Sequence, residues 1–178
     1  DASNFSSDAN FDDGSCLGVG ACNGTESISY DNHNYAITEI GNRCWFTENL
    51  QADNYSNGEA IPFVTGNCTW HEFTTGAFRV YGNDLAKKEQ YGLLYNYHAT
   101  QDPRGLCPNG WSVPTSGEWQ SLIETAGGDS IAGGNLKATD TWTFPNSGAN
   151  NSLGFNALPG GYNVSGCNAP FIELNTSG

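Results

Sequence analysis

A single segment, residues 91–128, carries the clearest local structural signal in the chain. Within it, Thr115 and Glu118 are spaced as in a capping box, in which the threonine hydroxyl accepts from a helical N–H and the glutamate reaches back to the threonine N–H. Three apolar residues then fall on one helical face: Trp119, Leu122 and Ile123. The glycine pair 127–128 supplies a left-handed stop, so the sequence predicts one short amphipathic helix with both ends defined.

The residues before this helix are rich in turn formers and aromatic rings. Residues 107–111, Cys-Pro-Asn-Gly-Trp, predict a turn that is followed at once by a large aromatic side chain. Residues 91–97 form a dense apolar and aromatic cluster that a buried helix or a strand could accommodate. The helical spacing of Leu93 and Leu94 with Tyr97, and the scarcity of β-branched residues, favour the helix.

Alternation of polar and apolar residues predicts a hairpin within residues 30–50, with turns at 31–32 and 41–42. His33, beside the first turn, and the lysine pair 87–88 are interpreted as solvated surface. Three further segments are assigned to strands: 77–81, 133–137 as a glycine turn into a short strand, and 154–162 as a buried strand that ends in a tight turn.

The balance of charge excludes several partners. The 178 residues include six Lys and Arg against 19 Asp and Glu, which gives a formal charge of −13. Nucleic acid and anionic membrane surfaces both require a basic patch, so neither is expected, and cationic partners, above all Ca²⁺, are favoured instead. No apolar stretch approaches the ~20 residues that span a bilayer, and no signal peptide is present. We therefore expect a mature or trimmed chain without membrane insertion.

The cysteine count indicates an oxidising compartment. The chain has six cysteines, none of them in a Cys-x-x-Cys pair or close to a histidine. This pattern predicts disulfide bonds in a secreted protein more readily than a zinc site. Free thiols, or bonds to another chain, are the alternative.

Four motifs, in one order along the chain, resemble a single protein family. They are IGNRCWFTENL at 40–50, YGLLYNYHA at 91–99, LCPNGWSVPTSGEWQSL at 106–122 and GFNALPGGY at 154–162. This set is similar to the Fibrobacter succinogenes major paralogous domain, a family of bacterial secreted and surface proteins. The family is in turn similar to the formylglycine-generating-enzyme fold, a relative of C-type lectins. The resemblance implies an irregular, loop-rich α+β domain of C-type-lectin-like or formylglycine-generating-enzyme-like fold, with disulfides.

The resemblance also bears on the cysteines and on the chemistry. Two cysteines lie within family motifs, which implies that they pair, and the remaining pairs are predicted without such support. The predicted pairs are Cys44 with Cys107, Cys16 with Cys22, and Cys68 with Cys167. The formylglycine-generating relatives work through a cysteine pair near the C-terminus that binds copper. Only Cys167 stands there in this chain, so that oxidase chemistry is not carried over.

Residues 1–22 differ in composition from the rest, being acidic and nearly free of aliphatic side chains. They resemble the second half of an acidic, cysteine-bounded repeat common in secreted Bacteroidetes proteins, whose leading cysteine is missing here. The missing cysteine suggests cleavage inside a longer polypeptide, or an upstream part outside this sequence. We predict a leader at 1–22, and a Fibrobacter-major-paralogous-type domain at 23–178 with an atypical C-terminal strand.

Oxygen-bearing side chains alternate in the leader before Gly14, a spacing close to that of loops that wrap a hard cation. The candidate calcium ligands are Asp8, Asn10, Asp12 and Asp13. The glycine comes one position later than in an EF-hand loop, and no bidentate Glu follows. An Asx-rich turn, whose side chains cap its own backbone, is the alternative.

The chain departs from the family after residue 162. A strand of Trp-Ser-Ser type is expected there, and Phe171, Ile172, Glu173 and Leu174 stand in its place. Either these four residues complete the sheet, or the sheet keeps an open edge that invites pairing with a neighbouring subunit. The four residues are therefore candidates for assembly contacts.

The sequence contains no Gly-x-Ser-x-Gly elbow, no His-Glu-x-x-His motif and no P-loop. We predict a non-enzymatic, secreted module of a bacterial cell surface that self-associates, as the subunit of an extracellular filament or adhesin, or binds other surface proteins. One alternative is a lectin-like glycan-binding module, with or without Ca²⁺, and another is the copper-dependent oxidase chemistry of the wider fold. Ser130, in Asp-Ser-Ile, matches a Bacteroidetes O-glycosylation pattern and is a candidate sugar acceptor.

Overall fold

The computed structural model describes residues 11–12, 16–18, 21–163, 166–168, 170–172 and 174–175. The strands are β1 (Phe11–Asp12), β2 (Leu17–Gly18), β3 (Ser27–Tyr30), β4 (His33–Ile40), β5 (Arg43–Phe46), β6 (Phe78–Arg79), β7 (Leu94–Asn96), β8 (Trp111–Ser112), β9 (Tyr162–Asn163) and β10 (Phe171–Ile172). The helices are α1 (Asn67–Glu72), α2 (Lys88–Tyr91), α3 (Tyr97–Thr100), α4 (Ser116–Thr125) and α5 (Ala132–Leu136). The mixed helix and sheet content predicted from the sequence is confirmed.

The strands β3, β4 and β5 form the predicted hairpins. Asp31 and Asn32 make the first turn with φ of 46° and 62°, and Gly41 and Asn42 make the second with φ of 61° and 63°. Positive φ at both turn positions is the type I′ geometry, whose twist matches that of the flanking strands. Local turn chemistry was therefore sufficient to predict this part of the sheet.

The leader contributes strands to two sheets. β2 lies between β5 and β8 in a five-stranded antiparallel sheet of order β3-β4-β5-β2-β8. β1 pairs with β7, which pairs in turn with β6. The described part of the leader is thus hydrogen-bonded into the same sheets as the rest of the chain, while the domain boundary after residue 22 stays a prediction.

Helix α4 is the helix that the sequence predicts near the end of the segment 91–128. Glu118 N donates to Thr115 Oγ1 at 3.3 Å and Thr115 N donates to Glu118 Oε2 at 2.8 Å, which completes the capping box. Leu122, on the apolar face of the helix, is buried. At the other end Gly128, with φ of 86°, donates its N–H to Ile123 O at 2.9 Å. Both ends therefore lie where the capping residues predict them.

The prediction of a helix over residues 91–97 is wrong. Helix α2 ends at Tyr91, Gly92 has φ of 70°, and Leu94–Asn96 is the strand β7. All three residues of β7 are buried, and both of its edges pair with neighbouring strands, β1 and β6. These non-local pairings outweigh the local helical spacing of the side chains.

The strand predictions elsewhere have mixed outcomes. The strand at 77–81 is confirmed over the two residues of β6. Residues 132–136 form helix α5 instead of a turn into a strand, because the backbone N–H of Ala132 bonds to Gly128 O and continues the turn that ends α4. Segment 154–162 makes only an isolated parallel bridge, from Ala157 to Lys137, before β9 begins.

The three disulfides pair Cys16 with Cys107, Cys22 with Cys44, and Cys68 with Cys167. The structure agrees with the third prediction, and the predicted pairs Cys44 with Cys107 and Cys16 with Cys22 are wrong. The physical reason is the position of β2 between β5 and β8, which brings the leader between the two family motifs. Each of the two motif cysteines therefore meets a leader cysteine.

Aromatic rings fill the buried regions on both sides of the hairpin sheet. Tyr35 and Phe46 stack with ring centres 4.6 Å apart in the larger cluster. Trp45 lies 5.4 Å from Trp119 of α4 and 5.7 Å from Phe155 in the second. These contacts hold α4 and the 154–162 segment against the sheet.

The C-terminal segment pairs with its own chain. Phe171 and Ile172 lie opposite Asn163 and Tyr162 in the two-stranded sheet β9-β10. Beyond them Asn175 donates its backbone N–H to Pro159 O at 3.1 Å. Within the described ranges, no helix is both long and apolar enough to cross a lipid bilayer.

Candidate functional site

A polar cleft of about 240 Å³ opens beside the first hairpin turn. Three separate parts of the chain form it: the β3–β4 turn, the segment 51–54, and the first residue of α2. The lining residues are Asp31, Asn32, His33, Gln51, Asp53, Asn54 and Lys88. We call this feature the polar cleft.

Asp31 ties the segment 51–54 to the hairpin turn. Its Oδ2 accepts from the backbone N–H of Asp53 at 2.6 Å and of Asn54 at 3.0 Å. Its Oδ1 accepts from Asn54 Nδ2 at 2.7 Å. The backbone of Asp31 lies in the left-handed region, which Asp tolerates better than most residues. The type of the hairpin turn and the hydrogen bonds to segment 51–54 therefore depend on the same residue.

Three tyrosine hydroxyls hold the same segment from beneath. Tyr95 Oη donates to Ala52 O at 2.8 Å, Tyr35 Oη accepts from Gln51 N at 2.9 Å, and Tyr30 Oη lies 3.3 Å from Asn54 O and donates to Leu106 O at 3.0 Å. The cleft wall is therefore held at Gln51, Ala52 and Asn54 by side chains from the sheets.

Burial keeps these hydroxyls neutral. It raises the pKa of Tyr30 to about 12, with a smaller contribution from the nearby Asp31 carboxylate. Burial also raises the pKa of Tyr35 and that of the fully buried Tyr95. A neutral tyrosine keeps its O–H, so these groups stay able to donate at all physiological pH values.

Several charged and polar side chains around the cleft are hydrogen-bonded to one another. Lys88 Nζ contacts Asp53 Oδ2 at 2.6 Å, and His33 Nε2 contacts Glu48 Oε2 at 2.8 Å. Gln51 Nε2 donates to the same Glu48 oxygen at 3.3 Å and to Glu89 O at 3.3 Å. The cleft is thus a preorganised polar surface whose ionisable side chains already have hydrogen-bonding partners.

A second polar cluster surrounds the fully buried Arg79. Its Nη1 donates to Asn163 Oδ1 at 2.8 Å, and its Nη2 donates to Asn67 Oδ1 at 2.9 Å. The guanidinium carbon lies 4.7 Å from the Phe171 ring and 5.5 Å from the Trp70 ring. Burial lowers the pKa of Arg79. Arg79, in β6, thus connects the β9-β10 hairpin with α1 near the Cys68–Cys167 bond. Its role is structural.

Arg104 organises a third cluster at the surface. It pairs with Asp102 at 2.7 Å and with Glu59 at 2.9 Å, and its guanidinium lies 4.0 Å from the Tyr55 ring. The hydrogen bond from Arg104 is the main reason why the pKa of Asp102 falls to about 2. The three groups hold neighbouring loops together.

The described part of the chain includes only some of the candidate residues that the sequence suggests. Asp8, Asn10 and Asp13 lie outside the described residues, and of Asp12 only the backbone position in β1 is described. Ser130 is exposed in the connection between α4 and α5. Of the candidate assembly residues, Phe171 and Ile172 form β10, Leu174 lies in a turn after it, and Glu173 falls outside the described residues. Across the part of the chain that the structure describes, no three His, Cys, Asp or Glu side chains are grouped to hold a metal ion.

Sequence reasoning missed most of the polar cleft. The sequence predicts Lys88 as solvated surface, and no pattern in it points to a role for Gln51 or Asp53. Their partners lie 35 positions away for Lys88 and Asp53, and 22 positions away for Asp53 and Asp31. The Asp-Asn turn at 31–32 was the only local signal of the site.

Fold and site define a disulfide-linked mixed α/β domain with a preorganised polar cleft. The family model of the Fibrobacter succinogenes major domain matches residues 38–174, so the chain belongs to that family. Comparisons with curated proteins and with solved structures return no match.

Proposed function

We propose that the chain is a secreted module of a bacterial cell surface that works by interaction and not by catalysis. The observation that carries this proposal is that all six cysteines are in disulfides. Disulfides persist in oxidising, extracellular compartments. They join the leader to β5 and to the segment before β8, and they join α1 to the loop of the C-terminal hairpin. A loop-rich domain fixed in this way suits the display of surface loops to a partner.

Self-association, as a filament subunit or adhesin, is the first form of this interaction. Several large apolar side chains are solvent-exposed on the described surface: Phe63, Leu85, Tyr97, Ile131, Phe144 and Tyr162. Phe144 is the most exposed of them, at 92%. Its neighbour Thr143 is held by a 2.8 Å hydrogen bond to Asn175 O, so the ring projects from a fixed backbone. Rigidly held aromatic rings are frequent anchors of protein interfaces.

Sedimentation velocity and negative-stain microscopy of the oxidised chain test this form. We expect assemblies that grow with protein concentration, and weaker association in a Phe144→Ser variant. A Thr141→Ser variant, on the same loop, serves as the matched control. Monomers alone at every concentration reached would contradict self-association.

Lectin-like glycan binding is the second form, and the polar cleft favours it. The finer fold that we propose, a C-type-lectin-like or formylglycine-generating-enzyme-like domain, is supported by family membership and by the loop-rich arrangement of short elements around α4. Calcium dependence rests on the alternating oxygens of the leader alone. A glycan array probed with Ca²⁺ and with a chelator tests both ideas, and an array without any specific signal would contradict glycan binding.

The copper-dependent oxidase chemistry of the wider fold is the least supported alternative. Cys167, the cysteine that it would use, is bonded to Cys68. Cu(I) binding by the oxidised chain, measured against a chelator of known affinity, would support the oxidase alternative.

A further inference from the structure

We infer that the polar cleft binds an uncharged, hydroxyl-rich ligand, namely a terminal sugar ring of a neutral glycan, with Lys88, Asp53 and Gln51 as the main contacts. This inference rests on the lectin-like form of the proposed function and assigns it a site. It is independent of the calcium candidates in the leader.

The internal partners of the cleft's ionisable groups indicate an uncharged ligand. Asp53 forms an ion pair with Lys88 at 2.6 Å, and Glu48 Oε2 lies within hydrogen-bond distance of His33 Nε2, at 2.8 Å. Asp31 already accepts three N–H groups from the segment 51–54. A charged ligand would have to compete with these internal partners and lose its own hydration, whereas an uncharged polar ligand leaves them intact.

The unused hydrogen-bonding capacity of the cleft matches hydroxyl groups. An ammonium has three N–H donors, and Lys88 uses one of them on Asp53 Oδ2. Asp53 Oδ1, Asn54 Oδ1 and Gln51 Oε1 accept from none of the described residues. Donors and acceptors thus stand side by side. Since each hydroxyl both donates and accepts, neighbouring hydroxyls on one sugar ring can use the Lys88 and Asp53 side chains together.

Preorganisation and size support the same ligand class. The cleft wall is held by three tyrosine hydroxyls and the Asp31 carboxylate, so little ordering is needed when a ligand binds. Its volume of about 240 Å³ lies below the ~300–1,000 Å³ of pockets that hold drug-sized ligands. A single ring is therefore the expected occupant, with the rest of the glycan in solvent.

The test uses the full oxidised chain and a panel of neutral methyl glycosides, with binding followed by two-dimensional NMR of the side-chain and backbone amides. We expect the Gln51 and Asn54 amide signals to shift for at least one glycoside. A Lys88→Gln variant should bind it at least about tenfold more weakly, and Asp53→Asn should weaken it similarly. The matched control is Lys87→Gln, because Lys87 lies over the Tyr81 ring and outside the cleft lining. It should bind within about twofold of the parent chain.

Salt supplies an independent readout. Affinity for an uncharged ligand should change less than about twofold between roughly 0.05 and 0.5 M salt, because ionic screening acts on charge pairs between protein and ligand. A steep loss of affinity over this range would show that a charged group is recognised and would overturn the proposed ligand class.

The remaining outcomes separate the site from the function. If a glycoside binds and Lys88→Gln and Asp53→Asn bind it unchanged, the cleft is not the site, although glycan binding stands. If an amine or an anionic sugar binds the cleft and no neutral sugar does, the ligand class is wrong. If no sugar binds at millimolar concentration, the inference and the lectin-like form both fail, while self-association is decided separately by sedimentation.

Discussion

Replacing Cys68 and Cys167 by serine gives the cleanest measure of how much a disulfide stabilises this fold. Both cysteines are exposed, so serine leaves no cavity and buries no new polar group. The bond spans a sequence separation of 99 residues. The loop-entropy relation gives a loss of about 4.7 kcal/mol for a loop of that length, since the unfolded chain is no longer constrained.

The folded state of this double variant should persist. The β9-β10 hairpin keeps the bond from Arg79 to Asn163 at 2.8 Å and the contact between Arg79 and the Phe171 ring. A loss of about 4.7 kcal/mol corresponds to a thermal unfolding midpoint lowered by roughly 9–19 °C for a chain of this size. That is a large fraction of the ~5–15 kcal/mol that typically separates folded and unfolded states.

Urea unfolding at neutral pH, followed by tryptophan fluorescence and extrapolated linearly to zero denaturant, measures this loss. The matched control is the parent chain, mildly reduced at this exposed bond and then alkylated, which should unfold at the same midpoint as the double variant. A loss below about 1 kcal/mol would refute the reasoning, because the bond would then not constrain the unfolded chain or the hairpin would unfold on its own.

Three further predictions concern local groups. Thr115→Ala removes the helix cap and should lower the free energy of unfolding by about 1 kcal/mol in urea titrations, with Thr125→Ala, at the exposed end of the same helix, as the comparison. Burial raises the pKa of Tyr35 and Tyr95, so their contribution to stability is present below about pH 10 and is lost as the pH rises further. In an alkaline titration, the tyrosinate absorbance of the folded chain should therefore stay below the value for all eight tyrosines until the chain unfolds. The pKa of Asp102 is lowered from 3.8 to about 2, so its contribution is present above about pH 4 and lost as the pH falls towards 2. Thermal melts of Asp102→Asn should lack that acid-dependent step, and a step of unchanged size would assign it to other carboxylates.

The elements that were predictable from the sequence are those specified by neighbouring residues. Helix α4 has a capping box at Thr115 and a glycine stop after its last turn, and both signals lie within the helix and its borders. The turns at 31–32 and 41–42 depend on residues that tolerate positive φ. Each of these structures is determined by contacts within a few positions of the chain.

The elements that could not be predicted depend on distant contacts. The local spacing of the residues in β7 predicts a helix, but the segment forms a strand because β1 and β6 pair with it. The disulfide pairing follows from the place of β2 in the sheet, which connects Cys16 with Cys107 across 91 positions. The polar cleft needs three segments at once, and no local pattern marks the residues of segment 51–54 as its wall.

Peptide mapping of unreduced protein by mass spectrometry tests the central claim most directly, that two cystines fix the leader to the rest of the domain and a third fixes α1 to the C-terminal hairpin. The account predicts cross-linked peptides for Cys16 with Cys107, Cys22 with Cys44 and Cys68 with Cys167, and no alkylatable thiol. Free thiols in the freshly purified protein, or a dominant Cys16 to Cys22 peptide, would contradict it.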